Sequence, residues 1–333
     1  MDEESVLFGL RNLFTIGNYQ TVINEVSSSN GLFSTEAKLE AQTFLYRSYV
    51  AQGKYNLVIN DIGANDEPSL KAIKLLAEFL ADKQKNNTTN AEDYVVKANN
   101  LLEEGANRIN SVVQVALATI LVQAGRFEDA LRTLHSRQKK LECSALAVQI
   151  YLQLDRLDLA RNEVASVKTW AEDALLLQMM EAWVDLRVGG EKYQEAFYIY
   201  EEFGQSNTAQ TVKVLNGQAA ANLALGRYPE AESLLLEAQN KDSDNPDTLI
   251  NMIACATLTA KSQEIVNRYV SQLREVAPQH PYLQDLDLKS SLFDRSASRF
   301  ALSTHRLKSA GSTVRLPNSL RSYRTKLSCS PSA

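Results

Sequence analysis

The chain has 333 residues, of which 44% are hydrophobic and 23% charged, with only 7 Pro and 13 Gly. This is the composition of an ordinary globular protein, rich in helix and poor in tight β-turns. The net charge of −5 hides an asymmetry: the last 38 residues carry seven Lys and Arg and no acid, and the body before them is strongly acidic, which argues against nucleic acid as a partner.

No apolar run reaches the roughly 20 residues that span a bilayer. The first ten residues, MDEESVLFGL, lack the charged-then-apolar secretory pattern. Cys143, Cys255 and Cys329 are odd in number and far apart, which suits a reducing cytoplasm and not a disulfide framework.

Taken in order, the chain repeats one turn signature. Gly17-Asn18-Tyr19 comes first, and Gly53-Lys54-Tyr55 follows 36 residues later. Ser27 to Gly31 reads as a short loop between them, and Lys83 to Asn90, KQKNNTTN, as a mobile loop or frayed helix ends. Gly125-Arg126-Phe127 lies 72 residues past Gly53, twice the period, so a degenerate unit is expected between, near Asn90 to Val96. Leu154-Asp155-Arg156-Leu157 is a variant with Leu for the aromatic. Gly190-Glu191-Lys192-Tyr193 and Gly226-Arg227-Tyr228 complete the clear set, and Ala260-Lys261-Ser262 is a weak last member.

Leu215 to Asn251 shows the unit best. A small-residue helix, with Ala219, Ala220, Ala221 and Ala224, precedes the Gly226 turn. A second helix carries Ala231, Leu235 and Ala238 on one face, and Asn245-Pro246 caps and opens a third. Helix-period stripes fill the intervals, such as Leu146, Ile150 and Leu154, and no alternating strand pattern stands out. A period of about 34 to 36 residues marks an all-α, tetratricopeptide-like solenoid of helical pairs. Neither helix of a pair buries its stripe alone, so neighbours are required. The repeats are expected to occupy residues 1–295, with helices ending about Leu292 to Arg295. Residues 296–333, basic and holding ten Ser, read as a disordered tail.

Residues that carry chemistry are sparse. His135, His280 and His305 are remote from one another and lack metal spacing, and no zinc, thiol-redox, nucleophile-elbow or phosphate-cradling motif occurs. The sequence therefore predicts no catalytic residue, no cofactor, no metal and no small-molecule substrate. Trp170 and Trp183 read as packing between helices, and Cys143 and Cys255 as small core residues.

What remains is surface. In repeats of this kind the first helix of each pair lines the inner face. Counting back 13, 10, 6 and 3 residues from a turn Gly gives Glu4, Leu7, Arg11 and Phe14, then Glu40, Thr43, Arg47 and Val50, then Val112, Val115, Thr119 and Val122. Leu7, Arg11, Phe14, Thr43, Arg47, Val50, Val112, Val115, Thr119 and Val122 are thus the candidate partner-binding residues. An apolar groove of this kind calls for a covering polypeptide. A free adaptor of the same repeat class, such as a chaperone cofactor that binds peptide segments, is the alternative; it needs an inner clamp of Lys, Arg and Asn, and the inner set here is mainly apolar.

With the repeats placed, the chain resembles the epsilon subunit family of coatomer over about residues 5 to 295. The resemblance rests on LFGLRNLFTIGNYQTVINE from Leu7, FLYRSYVAQGKY from Phe44, LECSALAVQIYLQLDRLDLAR from Leu141, GGEKYQEAFYIYEEF from Gly189, LNGQAAANLALGRYPEAE from Leu215 and NRYVSQL from Asn267. It implies a helical-repeat, non-enzymatic structural subunit of the coat on COPI vesicles. It implies a complex with the C-terminal region of the alpha coatomer subunit, and through it the rest of coatomer, with the N-terminal repeats closing around an extended element of that partner. It further implies retrograde Golgi-to-endoplasmic-reticulum and intra-Golgi transport, and a cytoplasmic protein held peripherally on Golgi membrane and vesicles through the coat. From Ser296 the chain departs from the short apolar and aromatic stretch that closes the family.

Overall fold

The computed structural model describes residues 3–29, 33–63, 66–85, 91–103, 110–135, 139–205 and 210–300, with nothing said of the Phe300 side chain. Seventeen helices and no strand occur among them. The first six pairs are α1 (Glu3–Ile16) and α2 (Tyr19–Ser28), α3 (Thr35–Ala51) and α4 (Tyr55–Asp61), α5 (Pro68–Gln84) and α6 (Ala91–Glu103), α7 (Ser111–Gln123) and α8 (Phe127–Leu134), α9 (Leu141–Gln153) and α10 (Leu157–Lys168), and α11 (Leu175–Val188) and α12 (Lys192–Gly204). Then come α13 (Val212–Leu225) and α14 (Tyr228–Lys241), α15 (Pro246–Leu258) and α16 (Gln263–Val276), and the single α17 (Pro281–Phe300). The degenerate unit expected between Gly53 and Gly125 is the α5/α6 pair. The loop reading of Lys83 to Asn90 falls partly outside the described residues, since α5 runs to Gln84 and residues 86–90 are not described.

Short polar side chains start several of these helices. Asn18 accepts from the Thr21 amide at 3.4 Å, Ser34 from the Ala37 amide at 3.4 Å, Asn110 from the Val112 amide at 2.9 Å and Asn245 from the Thr248 amide at 3.1 Å. Each satisfies a backbone donor that the first helical turn leaves unpaired. Pro68 and Pro246 open α5 and α15, where no amide is needed.

One backbone device joins the helices of six pairs. The residue after the turn position donates its amide to the carbonyl five residues back: Asn18 to Leu13, Lys54 to Tyr49, Arg126 to Leu121, Arg156 to Tyr151, Arg227 to Asn222 and Lys261 to Ala256, all at 2.8 to 2.9 Å. This is the Schellman closure, and it requires a left-handed residue at the turn. Gly supplies it at four of the six turns. Asp155 (φ +60°) and Ala260 (φ +53°) adopt it in the two turns where the sequence signature is degenerate. A left-handed conformation costs a non-Gly residue about 1–2 kcal/mol, and Gly returns part of that through its larger unfolded-state entropy. Ala260→Gly is therefore expected to stabilise the protein by about 0.5–1 kcal/mol. The midpoint of urea unfolding would rise; an unchanged or lower midpoint contradicts this account.

The chain falls into two compact units, one ending at Val214 and the other beginning at Leu215, inside α13. In the first unit, α1, α3, α5, α7, α9 and α11 pack side by side in sequence, and α11 returns to touch α1. The unit thus closes on itself. Ile16, at the end of α1, is buried in the core of α9 to α12 together with Val214. The Thr211 hydroxyl donates to the Ile16 carbonyl, and the Lys213 ammonium to the Thr15 carbonyl at 3.1 Å. These residues lie about 195 positions apart in the chain.

In the second unit, Ala219, Leu223, Ala231, Leu235, Met252 and Cys255 form one core, and Leu249, Ile250, Ile253, Leu273 and Leu283 another. Asn216 links them to a buried polar row, donating to Thr248 Oγ1 at 2.8 Å and accepting from Asn251 at 3.1 Å. The last helix runs to Phe300, past the expected end near Arg295. Ser296-Ala297-Ser298-Arg299 contains no helix breaker, and a basic residue in the last turn suits the helix dipole. The rest of the segment read as a tail, residues 301–333, lies outside the described residues.

Candidate partner-binding site

Five of the ten inner-face residues come together. Arg47 and Val50 on α3, and Val112, Val115 and Thr119 on α7, line one cavity with Ile73 and Leu76 of α5 and Ala116 of α7. Its volume of about 20 Å³ suits a water molecule or two, not a chain segment. The lining is aliphatic apart from the Arg47 guanidinium and the Thr119 hydroxyl, and that hydroxyl is spent on the Val115 carbonyl at 2.8 Å.

Arg47 is the hub. Its Nη1 lies 3.0 Å from Glu142 Oε1 and 3.1 Å from Oε2, so one nitrogen is shared by both oxygens across the step from α3 to α9. The guanidinium carbon sits 4.6 Å from the centroid of the Phe14 ring and 5.6 Å from that of Phe44. Phe14 and Phe44 are themselves 5.6 Å apart. α1, α3 and α9 therefore meet on a single cation. Only 12% of the Arg47 side chain and 29% of the Glu142 side chain are exposed, so the pair has given up most of its hydration.

The remaining inner-face residues divide. Arg11 is exposed and holds Glu40 through Nε at 2.8 Å and Nη2 at 2.5 Å. Thr43 is buried and donates to the Glu40 carbonyl at 2.7 Å. Leu7 is buried among Leu10, Val22 and Phe44, and Val122 among Leu121, Ala130 and Ile150, both as core between helices.

Gln114 is a buried polar residue of α7. It donates to the Thr133 carbonyl at 2.9 Å and accepts from Lys140 at 2.9 Å, with the Cys143 sulfur 3.6 Å from the same oxygen. Burial pushes the Cys143 thiol up to about 11, the nearby Lys140 charge opposing, and burial lowers Lys140 from the ordinary lysine value. A thiol held protonated in this way is packing, not a nucleophile.

The other singled-out residues have structural places. Trp183 is buried in the α9 to α12 core, and Trp170 packs at its edge with the Lys139 ammonium 6.0 Å from its ring. Cys255 is buried in the second unit. His135 ends α8, its amide donating to the Leu131 carbonyl at 3.0 Å. His280 Nδ1 accepts from the Tyr282 amide at 3.2 Å at the start of α17. His305 and Cys329 lie outside the described residues.

Glu142 was missed by the inner-face count because the count was made only from turns with Gly. Asp155 takes the left-handed turn position in its repeat, and 13 residues before it stands Glu142. The same rule, applied to the degenerate turn, finds the partner of Arg47.

Helical pairs joined by Schellman turns and wrapped so that their first helices share an inner wall define a tetratricopeptide-type scaffold. Solved structures agree on that fold. The Cut9–Hcn1 hetero-tetramer of APC/C matches with a TM-score of 0.54 at 15% identity, over 82% of this chain and 53% of that one. A tetratricopeptide repeat protein from Parabacteroides merdae matches with a TM-score of 0.51 at 12% identity, over 80% and 96%.

The family model described as coatomer epsilon subunit matches residues 3–301. Coatomer subunit epsilon of Dictyostelium discoideum is 33% identical over 89% of this chain and 99% of its own length. Coatomer subunit epsilon-1 of Oryza sativa subsp. japonica is 36% identical over 90% and 100%, and the Caenorhabditis elegans epsilon subunit 35% identical over 88% and 97%. The chain belongs to the coatomer epsilon subunit family. It is accordingly a structural, non-enzymatic subunit of the coatomer vesicle coat, a cytosolic coat protein that acts in vesicle transport as part of a complex with other subunits. No described helix is long and apolar enough to cross a membrane.

Proposed function

We propose that the inner wall of the first unit holds an extended element from the C-terminal region of the alpha coatomer subunit. Through that subunit the chain joins the rest of coatomer. The chain then stabilises the alpha subunit and the outer cage during retrograde Golgi-to-endoplasmic-reticulum and intra-Golgi transport, peripheral on Golgi membrane and coated vesicles. The observation that supports this reading is the convergence of Arg47, Val50, Val112, Val115 and Thr119 on one mainly aliphatic wall, of which Val112 and Val115 are only partly buried by the unit's own helices. A partner that binds only the folded wall raises its apparent stability by mass action. A peptide-binding adaptor for acidic chain ends fits less well, since it needs a clamp of several Lys, Arg and Asn and this wall offers one guanidinium among mainly aliphatic side chains.

Size-exclusion chromatography of the purified chain mixed with the C-terminal region of the alpha coatomer subunit tests the reading. Co-elution is expected, and Val115→Asp should abolish it by placing a charge on the aliphatic wall. The thermal melt of the variant separates lost binding from lost folding. Undiminished co-elution by a folded Val115→Asp protein would place the seat elsewhere.

A further inference from the structure

The inner wall carries an ion pair where aliphatic side chains would pack at less cost. Removing two charges from water is repaid only by excellent geometry and full hydrogen bonding. Here a single guanidinium nitrogen meets the carboxylate, at 3.0 and 3.1 Å, rather than the two-nitrogen fork that Arg and a carboxylate form when unconstrained.

The two partners are held unequally. Arg47 is the more buried and is stacked on Phe14 and Phe44. Glu142 lies in the first turn of α9, where a carboxylate is stabilised by the helix dipole whether or not it keeps a cation, and its side chain is more open to water. Moving Glu142 outward therefore costs little, while moving Arg47 forfeits both ring contacts.

We propose that Arg47 is the recognition cation of the partner seat and that Glu142 is an internal stand-in for a partner carboxylate. This rests on the proposed seat. The bound element carries an Asp or Glu flanked by apolar side chains: the carboxylate takes Arg47 from Glu142, and the apolar residues lie against Val112 and Val115, which the unit's own helices leave only partly buried. A basic element is excluded, because it would have to displace Arg47 from its rings to reach Glu142, and Lys140 adds a second positive charge nearby. The free chain is thereby kept from exposing an empty seat, and exchange, not simple insertion, sets the affinity.

Titration calorimetry with the C-terminal region of the alpha subunit reads this out in four proteins: wild type, Glu142→Gln, Arg47→Met and the double variant. Glu142→Gln keeps the shape and removes the competing charge, so it should tighten binding about fivefold to tenfold, the factor by which the open seat becomes more populated. Arg47→Met keeps the volume and removes the recognition cation, so it should weaken binding by roughly thirtyfold or more. In the double variant the gain from Glu142→Gln should vanish, because no cation is left to be freed. Melting curves confirm that each variant is folded.

If folded Glu142→Gln binds as wild type or more weakly, the stand-in role is overturned and the seat itself survives. If the gain persists without Arg47, the cation is not its source and the inference falls. If wild type itself does not bind, the proposed seat is overturned, and this inference with it.

Discussion

Gly17→Val is expected to destabilise the folded chain by about 3 kcal/mol and to loosen the closure of the first unit. Two costs add at this position. Gly17 sits at φ +86°, where a β-branched residue is a strong steric outlier. A Cβ built there would also lie 3.3 Å from Cβ of Lys213, part of the segment that carries the Thr211 and Lys213 bonds to the end of α1. At Gly53 and Gly125 the same left-handed backbone faces open space. Gly53→Val and Gly125→Val should therefore cost only the conformational term, about 2 kcal/mol each. The comparison isolates the seam. Urea unfolding gives the energies, and amide hydrogen exchange should show Ile16 and Val214 opening earlier in Gly17→Val than in Gly125→Val. Equal costs at the three turns would mean that the approach of residues 211–213 to the first turn adds nothing.

The turns were legible because they obey a backbone rule. A helix that must reverse within three residues needs one left-handed residue, and Gly is its default. Reading Gly17, Gly53, Gly125 and Gly226 as punctuation places four turns and fixes the period. Asp155 and Ala260 adopt the same conformation in the turns read as a variant and a weak last member, so the rule holds where its glycine is missing. Closure of the first unit was not legible at all. Nothing in the local pattern of Ile16, Thr211 or Val214 says that residues about 195 positions apart touch. That contact is the accumulated result of small rotations between successive pairs, which periodicity does not report.

The inner wall shows the same division. A fixed count from the turn names positions on a helix face, and it brought Arg47, Val50, Val112, Val115 and Thr119 to one place. It does not say how far a face turns from groove to core. Leu7, ten residues before its turn, and Val122, three residues before its own, are packed between helices instead. An α-helix advances 100° per residue, so positions three, six, ten and thirteen residues from the turn fan across an arc, and the side of that arc holding positions three and ten falls toward the neighbouring helix.

Trp183→Ala should be among the costliest single substitutions, at about 3–5 kcal/mol. By the count used for Arg47, six residues before Gly190 stands Val184; Trp183 is its neighbour on α11, and both are buried with Val148, Met179, Met180 and Tyr200. In this repeat the inner-face position is itself part of the core. Truncation to Ala removes the largest side chain of a close-packed cluster and leaves a void that the rigid pairs around it cannot collapse to fill. The same core receives Ile16 from α1 and Val214 from the seam, so the damage should spread to the closure: Trp183→Ala is expected to weaken protection of Ile16 as well as of α11 and α12. Trp183→Phe, which keeps an aromatic plate, should cost less than half as much. If Trp183→Ala unfolds within about 1 kcal/mol of wild type, the indole is a rim residue and the groove extends through this repeat; if α11 loosens while Ile16 stays protected, the closure is held by the Thr211 and Lys213 bonds and not by the shared core.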